Sequence, residues 1–474
     1  MLSPYCCLKY LLPEVHAGCR LKDTPGLRWP PPSPLDDPLN NAFESLRTMV
    51  VRMSSSEGPP AELGGEVVHQ ATLVGDAEGA LGLQPGAVGR SHGLIEALGE
   101  LLESHRVEAV SLPVEADDDD DHRALVAAAA AACSLRGVLV SCGGEVPLSA
   151  SGFDRARRAE ARERTSDDSR TVTAVISAWN KRDDVRANLL GIRAQTRPFD
   201  DVVVVDNHSS DGTAQMIRDE FPEVRLVVMP NSAYGACETF NVGFSTALTE
   251  YIAILDDDVV LTPWWLERSL SRMAEEPETT AVVSTKVVEP GMPDSFRDAE
   301  ALNRERYMST FRGCASLARK EAIDKAGGYD ERLFIYGNER DLTCRLLNLG
   351  YRVLQFPGAE TFHRTPFGLQ MGKRSLFYHA RNAWLGMLKY APAKDLARMP
   401  FLVLTKVLLR GRKAEEAGEV TDAVGTIGVG KSLRETEGAW WIVTRALFSV
   451  LYNVPYCLKH REPVQAPDFE LPLQ

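Results

Sequence analysis

Residues 251–258 read YIAILDDD, five apolar or aromatic residues running straight into three aspartates. A run of that length, rich in isoleucine and ending abruptly in charge, predicts a buried strand over 251–256. Successive side chains of an extended chain point to opposite sides, so Asp256 and Asp258 would face the same way. The same form recurs upstream. VTAVISA (172–178) leads into Trp179 and Asn180, and DVVVVD (201–206) leads into NHSSDGT (207–213). A further strand is expected over 224–229. Segments of helical period separate the runs: 183–195, a helix capped by Ser209 or Asp211 and reaching about Phe221, and 236–248. Thr262 followed by Pro263 reads as an N-cap with proline at the first helical position. Strands alternating with helices in this way predict an α/β fold with a mostly parallel, doubly wound sheet. Ligands of such sheets lie beyond the carboxyl ends of the strands.

The chain has 474 residues, 53 Lys plus Arg against 66 Asp plus Glu, and a formal charge of -13. It is long enough for several domains with cores of their own, which excludes a small disulfide-stapled scaffold. The acidic balance argues against a nucleic-acid partner, since a phosphate backbone would be repelled over most of the surface. Nine cysteines, none in a CxxC pair, read as reduced thiols rather than a zinc site.

Proline-rich sequence (WPPPSP at 29–34, DDP at 36–38) marks residues 1–52 as disordered, or as an extension upstream of the true start at Met49 or Met53. Residues 53–152 read as a small N-terminal α/β domain of unassigned role. Its five aspartates, 117–121, read as a solvated loop or helix start and not as a metal site. Residues 153–170, charged and almost without apolar side chains, form a linker. Residues 171–370 are the main domain, and 371–474 a helical, partly basic C-terminal region. Between 371 and 413 there are ten Lys or Arg and one acid, Asp395. No segment reaches the roughly 18 uninterrupted apolar residues of a spanning helix. The N-terminal MLSPYCCLKYLLPEVHAGC reads poorly as a signal peptide, with Lys9 inside its apolar stretch and Pro13 beyond. A cytoplasmic protein is expected, peripheral at the inner face of the plasma membrane at most.

Four stretches taken together resemble glycosyltransferase family 2 in order and spacing: VISAWNKRDDVRANLLGIRAQT, VVVVDNHSSDGT, PNSAYGACETFNVGFSTALTEYIAILDDDV and GCASLARKEAIDKAGGYDERLFIYGNERDLTCRLLNLGYRV, within about residues 171–385. The resemblance implies a GT-A fold and inverting transfer of a sugar from a nucleotide diphosphate, in a rhamnosyltransferase-like or galactofuranosyltransferase-like branch. It implies that Asp206 contacts the nucleobase, that Ala178 and Asn180 line its pocket and that Asn231 borders it. Asp256 and Asp257 would meet the ribose or sugar. Asp258, with Asp256 and His363, would hold Mg2+ or Mn2+, ions suited to hard oxygen ligands. Glu339 stands at the catalytic-base position, with Asp341 the second acid, although the family's Glu-Asp-x-Asp reads Asn338-Glu-Arg-Asp341 here. The basic stretch admits three readings: Arg374 and Arg381 lie near the leaving diphosphate, the helices from Lys373 to Arg410 rest on an anionic membrane, or the charges form a solvated helix face. The acceptor would be a glycan, a lipid-linked or a small molecule, and the C-terminal tail resembles those of relatives that rest on anionic membranes.

Other readings compete. GTIGVGKS (425–432) satisfies the GxxxxGK[ST] pattern, but no apolar strand precedes it, so an NTPase is disfavoured. A nucleotidyltransferase needs a basic glycine-rich loop after its first strand, which Ser177-Ala-Trp-Asn180 is not. No GxGxxG follows that strand, which removes a dinucleotide oxidoreductase. A catalytically inactive carbohydrate-binding or scaffold protein would lack acids that are all present here.

Overall fold

The computed structural model describes residues 47–54, 66–74, 80–83, 94–104, 107, 109–112, 120–136, 138–142, 148–149, 170–367, 372–402 and 436–470. The first sheet contains β1 (Arg47–Ser54), β2 (Glu66–Val74), β3 (Ala80–Leu83), β4 (Ala109–Leu112), β5 (Leu139–Cys142) and β6 (Leu148–Ser149), in the order β3-β2-β1-β4-β5-β6. Every neighbouring pair is parallel except β5 and β6. The boundary expected at residue 53 is therefore corrected. Arg47–Ser54 reads RTMVVRMS, pairs with β2 and β4, and belongs to this sheet. Residues 1–46, Asp117–Asp119, linker residues 153–169 and the glycine-rich 425–432 lie outside the described residues.

Helices α1 (Leu94–Ser104) and α2 (Asp120–Ser134) complete this domain. Every α2 residue from Ala124 to Cys133 is buried. A helix buried all round needs cover on two sides. One side is its own domain. The other is the main domain, whose Ala194 and Trp264 join the same apolar cluster. Arg123 lies 5.0 Å above the Trp264 ring and 3.3 Å from Glu267, and Arg193 donates to Ser134 Oγ at 2.9 Å.

The second sheet holds, among the described residues, nine strands: β7 (Val172–Ala178), β8 (Asp201–Asp206), β9 (Arg225–Val228), β10 (Tyr251–Asp256), β11 (Val259–Leu261), β12 (Thr280–Val288), β13 (Arg306–Tyr307), β14 (Ala315–Arg319) and β15 (Arg352–His363). Their order is β11-β15-β12-β14-β10-β7-β8-β9, with β13 also on β15. The main helices are α3 (Arg182–Arg193), α4 (Thr213–Glu220), α5 (Ala236–Thr246), α6 (Trp265–Glu275), α7 (Lys320–Ala326), α8 (Asn338–Asn348), α9 (Lys373–Tyr390), α10 (Ala393–Leu402) and α11 (Ala439–Lys459). Leu189, Ile217 and Leu270 of α3, α4 and α6 share one core with the sheet, while Phe240, Ile323, Leu342 and Leu385 of α5, α7, α8 and α9 share another.

Strands β9, β8, β7 and β10 run parallel, as the strand–helix alternation predicts. The sheet as a whole is mixed, because β14 runs antiparallel to β10 and β12, and β11 and β13 antiparallel to β15. From β7 the chain winds outward to β8 and β9, then returns to place β10 on the other flank, so β7 and β10 flank the topological switch point. In register, Asp256 stands opposite Ser177, and Ala178 opposite Asp206. Thr262 does not cap α6. Its hydroxyl donates to Glu360 O at 2.8 Å, and the helix starts at Trp265.

The C-terminal helices are part of this domain. Val450 and Cys457 of α11 lie in the same core as Phe240 and Leu342. Lys389 binds Asp330 at 2.8 Å and Asp341, while Tyr390 and Tyr456 donate to the same two carboxylates at 3.0 Å. Replacing one partner of such a buried set leaves an uncompensated charge, so Lys389→Met is expected to cost roughly 3 kcal/mol of stability, read from chemical denaturation. Among the described residues no helix is long and apolar enough to cross a membrane.

Candidate active site

Beyond the carboxyl ends of β7 and β8, the two strands are laced by side chains. Asn180 has a left-handed backbone (φ 52) that exposes its N–H to Ser209 Oγ at 2.9 Å, while its own Oδ1 accepts from Ser210 N at 2.7 Å. The Ala178 carbonyl accepts from Asn207 N at 2.8 Å. Asp206 is fully buried. One carboxylate oxygen accepts from Ser209 N at 3.0 Å, and the other, Oδ1, is buried without a hydrogen-bond partner. A charged oxygen left so is costly unless a ligand donor completes it. Asn231 is exposed in the loop after β9, where its Oδ1 accepts from Ala233 N at 2.9 Å.

The acidic turn lies at the adjoining strand end. Asp258 is buried; its Oδ2 binds Lys181 and accepts from Thr365 at 2.8 Å, and its Oδ1 lies 3.2 Å from His363 Nε2. The other imidazole nitrogen of His363 faces Glu289 at 2.9 Å. Burial opposes ionisation of Asp258, but His363 and Lys181 outweigh it and hold the carboxyl well below its usual range. Burial likewise disfavours a charge on His363, yet the carboxylates on either side raise its pKa to about 10. Asp256 is pushed up to about 7 by burial and by Asp258, and Asp257 to about 6 by burial that Lys181 partly offsets. Asp257 also accepts from Trp179 N at 3.1 Å and lies 3.6 Å from Lys181, which it shares with Asp258. Asp256, Asp258 and His363 bring one ligand atom each within 4.8 Å of one another. Two carboxylates and an imidazole oriented by a further acid suit a divalent cation.

Glu339 opens α8 on the other side of Gly313-Cys314. Asp256 N donates to Cys314 O at 3.1 Å, and a Cβ on Gly313 would overlap the Glu339 carboxylate. Glu339 is partly exposed, although protein surrounds it closely. Burial pushes its pKa up to about 7, against the donation of Asn338 Nδ2 at 2.7 Å. Gly313→Ala is expected to swing Glu339 aside and lower turnover by roughly 100-fold with little loss of thermal stability, since small misplacements of a reacting group cost that much.

Asp341 does not join Glu339 in the cleft. It is buried, and both oxygens are engaged, one by Lys389 and Tyr390, the other by Arg345 at 2.9 Å. Its expected catalytic role is corrected to a structural one. Arg381 is likewise corrected. Nine-tenths buried, it donates to Arg332 O at 2.6 Å, and the neighbouring Asn382 donates to the carbonyls of Leu333, Ile335 and Tyr336 at 2.8–3.0 Å. Together they clamp the loop before Glu339, in which Phe334 (φ 69) and Tyr336 (φ 65) hold strained left-handed backbones. Arg374 lies in the cleft, 5.3 Å from the rings of both Trp179 and Phe334.

Sequence reasoning missed Lys181, Thr365 and Glu289. Glu289 follows the last residue of β12, and a polar residue at a strand's carboxyl end was the signal that could have found it.

The sequence model of glycosyl transferase family 2 matches residues 173–328. A probable glycosyltransferase of Bacillus subtilis is 25% identical over 250 residues, covering 48% of this chain and 57% of its own. An N-acetylglucosaminyl-diphospho-decaprenol L-rhamnosyltransferase of Mycobacterium tuberculosis is 26% identical over 218 residues, covering 36% and 68%. The chain thus spans little more than half of the first relative. Among solved structures, GalNAc-T7 with UDP, GalNAc and Mn2+ superposes with a TM-score of 0.40 at 13% identity, over 61% of this chain and 59% of that one. A mannosyltransferase of Pyrobaculum calidifontis with GDP-Man and Mn2+ gives 0.36 at 16% identity, over 70% and 87%. The matched segment contains Asp206 and the three aspartates after β10, and over it the chain is similar to glycosyl transferase family 2.

Proposed function

We propose that this protein transfers a sugar, with inversion, from a nucleoside-diphosphate donor to a hydroxyl group of an acceptor. One observation carries the reading: the Asp256, Asp258 and His363 cluster and the carboxylate of Glu339 are brought close by Gly313-Cys314, Asp256 bonding to Cys314 and Glu339 packing on Gly313, near enough for Glu339 to help raise the Asp256 pKa. The unpartnered Asp206 oxygen would receive a donor N–H of the base, with Asn180 and the Ala178 backbone fixing the walls of that pocket. Asn231 would border it. Asp256, Asp258 and His363 would hold Mg2+ or Mn2+, which when bound supplies positive charge against the leaving diphosphate. Glu339 takes the proton of the acceptor hydroxyl as its oxygen attacks the anomeric carbon from the face opposite the leaving group. Arg374, held on two aromatic faces, supplies fixed positive charge nearby.

The name of the mycobacterial relative makes rhamnose the first donor sugar to test and a lipid-linked glycan the first acceptor class, with galactofuranose next. Contact with an anionic membrane is supported by α11, which leaves Trp440, Phe448, Leu451 and Tyr452 exposed on its outer side. The deciding experiment measures nucleoside-diphosphate release from a panel of activated sugars with and without EDTA. EDTA-sensitive release from one donor supports the proposal; no release from any donor with any acceptor class overturns it.

A further inference from the structure

Asp258 is engaged on both oxygens before any ion arrives. A carboxylate oxygen offers about two lone pairs. Those of Asp258 Oδ2 are taken by the Lys181 ammonium and by the Thr365 hydroxyl at 2.8 Å, while Oδ1 faces His363 Nε2 at 3.2 Å. A divalent ion cannot take Oδ2 as a ligand while both of its contacts stand. Taking Oδ1 instead would set the ion against an ammonium on the same carboxylate, which repels it.

Which contact yields is decided by how each partner is mounted. His363 belongs to the cluster itself and is held from its other nitrogen by Glu289 at 2.9 Å. Thr365 carries no charge, and its neighbour Arg364 is tied down, its N–H donating to the Asp258 carbonyl at 2.8 Å and its guanidinium to Asp184 at 2.7 Å. Lys181 differs from both. Its backbone is fixed, because the N–H groups of Asn180 and Arg182 donate to Ser209 and Asp211 at 2.9 Å and its own carbonyl accepts from Val185 N at 2.9 Å. Its side chain is 37% exposed, against 6% for that of Asp258, and a lysine carries its charge on a long flexible stem. Charge, reach and access to solvent coincide in Lys181.

We infer that Lys181 is a positioning residue that holds Asp258 in place of the divalent ion and is displaced when the ion binds. The inference rests on the metal assignment within the transferase reading and adds how that site is loaded. Before loading, the ammonium offsets the repulsion among the three aspartates, lying 3.6 Å from Asp257 Oδ1 as well. On loading, one positive group replaces another: the ammonium leaves Oδ2 for solvent, the ion takes the vacated lone pair, and Thr365 and the Arg364 N–H keep Asp258 aimed.

The test titrates the metal-free full chain with Mn2+ alone, followed by calorimetry. Lys181→Met removes the charge and is expected to bind Mn2+ about tenfold more tightly than wild type, the scale of one charge-assisted contact taken out of competition. Unchanged or weaker binding overturns the inference, weaker binding making Lys181 a scaffold on which Asp258 depends. A second measurement needs no variant. Wild-type protein is acetylated with acetic anhydride with and without Mn2+, and modification is read by peptide mass spectrometry, with Lys325, paired with Glu321 on α7, as the reference. Mn2+ is expected to speed acetylation of Lys181 several-fold and to leave Lys325 unchanged; equal rates at Lys181 overturn the displacement. Absence of Mn2+ binding to both proteins overturns the metal site and this inference with it. The transferase reading fails separately: Lys181 displaced by Mn2+ in a protein that releases nucleoside diphosphate from no donor would leave the inference standing.

Discussion

Glu339→Gln is expected to reduce turnover by about 1,000-fold while leaving nucleoside-diphosphate binding within about twofold, because a positioned general base contributes on that scale only once the hydroxyl attacks. The amide keeps the shape of the carboxylate and the contact with Asn338 but cannot accept the proton. The wild-type rate should fall on the acid side with a midpoint near 7, the value to which burial raises Glu339. The sign follows from the role. Below that pH the carboxyl is protonated and cannot act as base; above it the ionised form dominates and the rate levels off. The same shift makes the folded state hold its proton longer than the unfolded chain, so Glu339 costs stability as pH rises through 7. The Gln variant should therefore be at least as stable as wild type at pH 8, which separates lost chemistry from lost folding. Turnover within tenfold of wild type would remove Glu339 from the chemistry, and Asp341, locked to Lys389 and Arg345, offers no replacement.

Asp258→Asn is expected to abolish the contribution of Mn2+ to donor binding. Loss of a supporting partner of a metal ligand costs roughly 10- to 100-fold in metal affinity, so loss of a ligand itself should approach about 1,000-fold. Asp258 is the centre of its cluster, meeting Lys181, His363 and Thr365 at once. Calorimetric titration of UDP with and without Mn2+ provides the reading. An unchanged metal dependence would place the ion elsewhere, while loss of metal-free binding as well would point to collapse of the Lys181 contact.

The parallel half of the sheet was legible because buried strands of this kind are uninterrupted apolar runs, and the run 251–255 ends where β10 meets its polar turn. The antiparallel half was not, since nothing in the residues after Glu289 alternates at a period that reveals strand direction. Ala178, Asn180, Asp206, Asp256, Asp258 and His363 were singled out from strand ends and family spacing, and the fold places β7 between β8 and β10 and brings Asp256, Asp258 and His363 together. Asp341 was misjudged, although helical geometry held the answer: residues two apart on a helix point to opposite sides, so Glu339 and Asp341 could not both face one cleft. Arg374 and Arg381 share a helix and a charge, yet one lies on exposed rings and the other is sunk against backbone carbonyls, a difference of depth that no local pattern encodes. Lys181 was invisible for another reason. A lysine after a strand is ordinary until its carboxylate partners, some 76 residues away, are in place.

The core shared by α8 and α11 also bears on the order of synthesis. Lys389, Tyr390 and Tyr456 neutralise or bond acids that leave the ribosome well before them, at Asp330 and Asp341. A nascent chain stopped near residue 370 would carry every described strand of the sheet, but Asp341 of α8 would have only Arg345, and Asp330 neither Lys389 nor Tyr456. In synthesis from the N-terminus these pairings can form only after α9 and α11 have emerged.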